Sequence, residues 1–202
     1  MRIHKLTDRT EANGPGVRGL LHFQGCSLNC FGCFNKGTHS FTGKHTFTYE
    51  VTDWINRLDV EGITFSGGEP FQQYCSLKFL VNFIRAERPE LSIGLFTGYS
   101  LRELYGCGWD TYADDKPVPG TCTMAEQVLN RLDFSVTGRY VVGKPSNQPL
   151  CSSSNQVLTL HSDRYSLDDF GPQRVELTVD GDSLVTTGFP SEGFRTGLQE
   201  AL

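Results

Sequence analysis

No apolar run in this chain approaches the roughly 20 residues that a bilayer-spanning helix needs, so no membrane span is expected. An excess of positive charge is also missing. The chain has 18 Lys and Arg against 23 Asp and Glu, a formal net charge of -5, which argues against non-specific nucleic-acid binding. The opening segment MRIHKLTDRTEANGPG is polar and holds no apolar core of the secretory type, so a cytoplasmic location is expected. Repeats, low-complexity tracts and convincing linkers are absent, which leaves one domain over residues 1–202 as the expectation. A hydrophobic content of 38% with 20% charged residues suits a soluble globular chain.

Cysteine is not scarce. There are seven, and three fall within GCSLNCFGCFN as Cys26, Cys30 and Cys33, spaced C-x3-C-x2-C. Without a secretion signal, clustered cysteines point to metal or catalysis rather than disulfides. Three thiolates on a short loop suit an iron–sulfur cluster, leaving one iron of a 4Fe–4S cube open. A zinc site completed by His22, His39 or His45 stays open on spacing alone. Cys75, Cys107, Cys122 and Cys151 are scattered and read as buried small hydrophobes or loop thiols.

Periodicity alternates along the chain. VRGLLHFQ (17–24) reads as a buried strand running into the cysteine loop, and YEVTDWINRL (49–58) as an amphipathic helix. EGITFS (61–66), LSIGLFT (91–97) and DFSVTG (133–138) read as further strands. Helices are predicted at 77–87, after Tyr99, and over 125–132. Strand then helix, repeated, is the pattern of parallel βα units, and too few units are present to close a full barrel. Residues 106–122 read as an inserted surface loop. NQVLTLH (155–161) reads as a strand, and 174–188 as a hairpin turning at Asp180-Gly181.

GGEP at 67–70 follows the second of these strands. Two glycines let backbone approach a ligand closely, and Glu69 then offers a carboxylate suited to an ammonium group. Alone, GGEP is a tight turn. Together with C-x3-C-x2-C one strand earlier, it resembles the radical S-adenosylmethionine superfamily. The resemblance implies a partial (βα) barrel with mostly parallel strands and a C-terminal β-hairpin tail. It implies that Cys26, Cys30 and Cys33 hold a 4Fe–4S cluster whose fourth iron takes the amino and carboxylate groups of S-adenosylmethionine. Gly67, Gly68 and Glu69 would support the amino end. One electron then gives methionine and a 5′-deoxyadenosyl radical. Phe31 would pack over the adenine or shield the cluster loop.

NGPGVR (13–18), GCSLNCFGCFNKGT, TFSGGEPF, FTGYSLREL and SSNQV, in this order, are similar to the activating enzymes of anaerobic (class III) ribonucleotide reductase. The similarity runs over about 13–161, with 162–202 a β-rich extension. It implies that Thr97, Gly98, Tyr99 and Asn155 lie at the S-adenosylmethionine site; Asn155 and Gln156 read equally as turn caps. It implies a large glycyl-radical enzyme as protein substrate and a reductant such as flavodoxin. The chain departs from the family at Thr137, where many relatives carry an acidic residue. That leaves a different glycyl-radical enzyme, a peptide or a small molecule as the alternative substrate. A non-catalytic zinc or iron–sulfur module is the reading from another class.

Overall fold

The computed structural model describes residues 1–43, 45–180, 183–191, 193–194 and 197. Its centre is a six-stranded sheet in the order β1-β2-β3-β4-β7-β8. These strands are β1 (Ile3–Thr10), β2 (Arg18–Phe23), β3 (Gly62–Gly67), β4 (Ser92–Thr97), β7 (Phe134–Thr137) and β8 (Val157–Leu160). β2, β3, β4 and β7 are parallel, while β1 and β8 close the two edges antiparallel. The chain is thus mixed α/β with a mostly parallel central sheet. Helices α1 (Thr48–Arg57), α2 (Tyr74–Glu87), α3 (Leu101–Tyr105) and α4 (Cys122–Leu129) form the connections.

Because the strands add in sequence order, right-handed crossovers place every connecting helix on one face. Strand alternation sends Leu21, Phe23, Ile63, Phe65, Ile93 and Leu95 to that face, where they pack against Val51, Trp54 and Ile55 of α1. Leu80 and Ile84 of α2 and Val128 of α4 join the same core. Arg88, just past α2, donates to Ile55 O and Leu58 O and so satisfies carbonyls at the end of α1. Ser100 and Glu103 form a capping box that starts α3.

None of α1–α4 lies on the opposite face. Residues 162–170 cover its lower part, with Tyr165 and Phe170 packed edge-on to Phe134. Ser162 Oγ donates to Asp133 Oδ1 at 2.7 Å, which ties this segment to the sheet. β9 (Val175–Asp180) and β10 (Ser183–Gly188) form an antiparallel hairpin, as expected; the turn residue Gly181 lies outside the described residues.

Two parts differ from the sequence reading. β1 was not expected, because its exposed His4, Asp8 and Arg9 hide an edge strand inside a polar segment. Residues 106–122 are not a surface loop: β5 (Asp110–Ala113) and β6 (Lys116–Pro119) form a hairpin whose two-residue turn, Asp114-Asp115, has both φ angles positive. Trp109 anchors that hairpin in the core against Phe71. Among the described residues no helix is long and apolar enough to cross a membrane.

Candidate active site

β2, β3, β4 and β7 run parallel, so their exits gather at one end of the sheet. The cysteine loop leaves β2, Gly67-Gly68-Glu69 ends β3, Thr97-Gly98 ends β4, and Gly138 follows β7. A cleft of about 170 Å³ opens between them. It brings together Cys26, Cys30 and Cys33 from the loop with Gly67, Gly68 and Glu69, and with Thr97 and Gly98.

The two glycines of GGEP serve a close approach within the chain itself. Gly68 N donates to Phe23 O at 2.8 Å and Glu69 N to Gly25 O at 2.9 Å. A Cβ on Gly68 would lie 2.2 Å from Gly25 O, and one on Gly67 2.5 Å from Phe23 N. Gly67 also has φ +100°, which excludes other residues without strain. The cysteine loop is thereby clamped onto the end of β3, beside Glu69.

Glu69 is 1% exposed. Its Oε1 accepts from Phe71 N (3.0 Å) and Thr97 Oγ1 (2.7 Å), and its Oε2 from Gly98 N (2.7 Å). All three donors are neutral, and among the described residues no cation forms an ion pair with it. Burial pushes its carboxyl up to about 7, against the downward pull of these hydrogen bonds. The nearby cation Arg139 is engaged elsewhere: its NH1 donates to both oxygens of Glu103 at 2.7 and 2.9 Å, and it sits over the Tyr99 ring. A buried carboxylate with one acceptor site still open is a receptor for an amino group.

The thiols show the complementary state. Burial and then the Glu69 charge push Cys26 up to about 12, and burial raises Cys33. Such thiols ionise on meeting positive metal, releasing protons as they bind. Among the described residues no three His, Cys, Asp or Glu side chains converge tightly enough to hold a single ion. Cys26, Cys30 and Cys33 nonetheless line one cleft, and thiolate sulfur is the usual donor to an iron–sulfur cluster. The remaining cysteines are unpaired: Cys75 and Cys107 are exposed, Cys122 half-buried and Cys151 buried.

Three of the predicted site residues lie outside this lining. Phe31 is 84% exposed at the tip of the cysteine loop. Tyr99 is buried behind the cleft, its hydroxyl bonded to Gln72 Nε2 and Asp110 N. Asn155 donates to Arg139 O from an exposed position, while its neighbour Gln156 lines the cleft. Gln72 was not singled out by sequence, yet it accepts from Ser27 N at 2.9 Å and donates to Ser27 Oγ at 2.7 Å. It thus joins the cysteine loop to Tyr99. Its place two residues after GGEP was the available signal. His22 and His39, two of the candidate zinc ligands, also line the cleft, as does Phe96 beside Thr97; Thr186–Phe189 border it too, and their distance in sequence concealed them.

Comparison with known proteins agrees with this geometry. Residues 12–159 match the family model described as a 4Fe-4S single cluster domain. A Salmonella typhi protein named anaerobic ribonucleoside-triphosphate reductase-activating protein is 38% identical over 167 residues, covering 78% of this chain and 97% of the relative. Proteins of the same name from Vibrio cholerae (35% over 112 residues; 52% of this chain, 72% of the relative) and phage T4 (28% over 157 residues; 75% and 88%) are also similar. The chain belongs to the 4Fe-4S single cluster domain family and to the family of anaerobic ribonucleoside-triphosphate reductase-activating proteins.

Proposed function

We propose that this chain installs a glycyl radical on an anaerobic ribonucleotide reductase. Cys26, Cys30 and Cys33 hold a 4Fe–4S cluster, and Gly67, Gly68, Glu69, Thr97 and Gly98 bind S-adenosylmethionine against it. When bound, the cluster supplies one electron that splits S-adenosylmethionine into methionine and a 5′-deoxyadenosyl radical, which takes a hydrogen atom from a glycine Cα. The observation that carries the reading is Glu69, a buried carboxylate without a counter-cation, facing three thiols across one cleft. The names of the relatives supply the reductase as substrate.

The chain's own residues hold and orient. Thr97 and Gly98 fix the Glu69 carboxylate, and Gln72 fixes the cysteine loop through Ser27. The uniform strand order with helices on one face supports a partial (βα) barrel of the radical S-adenosylmethionine type. We read residues 1–202 as one domain, with 13–161 as its core and 162–202 as a β-rich extension, of which Tyr165, Phe170 and Phe189 pack on the sheet face opposite α1–α4. We infer an external reductant such as flavodoxin as the source of the electron.

Anaerobic reconstitution with iron and sulfide, followed by reduction in the presence of S-adenosylmethionine, should yield 5′-deoxyadenosine and, with reductase present, a glycyl radical by electron paramagnetic resonance. Cys30→Ala should lose cluster and cleavage together. A protein that takes up one zinc and never forms 5′-deoxyadenosine would refute the reading. Cleavage without a radical on the reductase would favour another glycyl-radical enzyme, a peptide or a small molecule as substrate, the reading that the extension beyond residue 159 and Thr137 also support.

A further inference from the structure

We propose that the C-terminal β9–β10 hairpin is the substrate-side wall of the cleft, and that the Phe189 ring positions the residue that gives up hydrogen. The inference rests on the reading of the cleft given above, and goes beyond it by assigning residues outside the matched 12–159 segment.

The face of the sheet opposite α1–α4 needs a cover, because alternation points Phe96 of β4 and Val136 of β7 out of it. Residues 162–170 cover only the end away from the cysteines. At the other end the hairpin takes over. The Phe189 ring lies 5.8 Å from that of Phe96, and Thr186–Phe189 border the cleft that also holds the three cysteines.

The wall is tied down at its base. Glu176 accepts from Thr10 Oγ1 at 2.5 Å and from Glu11 N at 2.6 Å, and Arg174 pairs with Glu11 at 2.6 Å. Phe189 N donates to Arg174 O at 2.9 Å. Gly188 has φ +100°, and a Cβ there would meet Arg174 O at 2.2 Å and Ala12 Cβ at 2.8 Å. The chain therefore turns Phe189 into the cleft from a fixed point.

A carbon radical takes hydrogen from whichever C–H bond is held nearest, so selectivity depends on placing the target. The cysteine loop and Glu69 form one side of the cleft, and the hairpin forms the other. The Phe189 ring borders that cleft, and bulk there favours a target residue without a side chain, glycine, whose Cα is left uncovered.

The test compares Phe189→Ala with wild type using the full reductase, reading glycyl radical formed per 5′-deoxyadenosine. The ratio should fall about tenfold, because a displacement on the order of 1 Å is enough to cost that much. A purely structural role would lower both products together and leave the ratio unchanged, which overturns the proposal. If Phe189→Ala does not fold, Phe189→Leu keeps the packing and should lower the ratio by about threefold, following the same positional argument. An unchanged ratio overturns the proposal there too. Independently of turnover, amide hydrogen exchange at Thr186–Phe189 in cluster-free protein should slow when reductase is added, and no slowing contradicts a substrate-side wall. Wild type that forms no 5′-deoxyadenosine would instead defeat the underlying reading of the site.

Discussion

Two buried charges sit at opposite ends of the same parallel strands, and they are satisfied to different degrees. Arg18 opens β2 at the amino end and is 0% exposed. Its five N–H groups all find acceptors: Thr64 Oγ1, Pro15 O, Ser92 Oγ, Ile63 O and Ser92 O, at 2.7–3.2 Å. The Phe134 ring lies 5.0 Å away beneath the guanidinium. Glu69, at the carboxyl end, fills three of about four acceptor sites and, among the described residues, forms no ion pair. A complete shell suits a structural charge, and a shell with one opening suits the binding role proposed for Glu69.

Breaking the complete shell should have the largest effect on the fold. Arg18→Met strands several buried acceptors and should cost about 3 kcal/mol of stability in a denaturant titration. The folded fraction should bind S-adenosylmethionine with affinity within about twofold of wild type, since energetic effects at distant sites are nearly independent. A large affinity loss in that variant would mean the two ends are coupled and the comparison fails.

Breaking the incomplete shell should do the reverse. Glu69→Gln removes a charge-assisted hydrogen bond, so affinity for S-adenosylmethionine in reconstituted protein should fall roughly 10- to 100-fold by equilibrium binding. The smaller cost falls on the fold: the amide nitrogen cannot accept, so one of the three buried donors loses its acceptor, at about 1–3 kcal/mol. The carboxyl of Glu69 is raised from the usual 4.5 to about 7, so the empty folded protein holds more protons than the unfolded chain between those values. Its contribution therefore weakens stability as pH rises from 4.5 to 7. Glu69→Gln should flatten that part of the stability profile; an unchanged slope would assign it to other groups.

Much of this arrangement was legible in the sequence, and the limits are physical. The run from β2 to β7 showed itself because each element buries one regular face: Val51, Trp54 and Ile55 repeat at helical spacing, and Ile63 with Phe65 at strand spacing. β1 and the β5–β6 hairpin lack such a face. The first is half exposed, and the second gains its place through Trp109 and the hydrogen bonds of Thr111 to Tyr74 N and Gln72 O. Within the site, C-x3-C-x2-C and GGEP named the loops that meet. They did not say which side chain of each loop faces inward. Asn155 and Gln156 differ by one position, yet only Gln156 reaches the cleft, and Tyr99 turns back toward Trp109 while Gly98 faces forward. The hairpin at 174–188 was legible, but its place beside the cleft was not, because its contacts with Thr10, Glu11 and Phe96 join segments far apart in the chain.

The state of Glu69 is tested most directly by the pH dependence of S-adenosylmethionine affinity, measured side by side in wild type and Glu69→Gln. Below about pH 7 the wild-type carboxyl must lose a proton before it can receive the amino end, whereas the amide has none to lose. From pH 7.5 to 6 the wild-type affinity should therefore drop by about tenfold more than that of the variant, one decade per unit below the pKa. Parallel pH profiles for the two proteins would contradict the account.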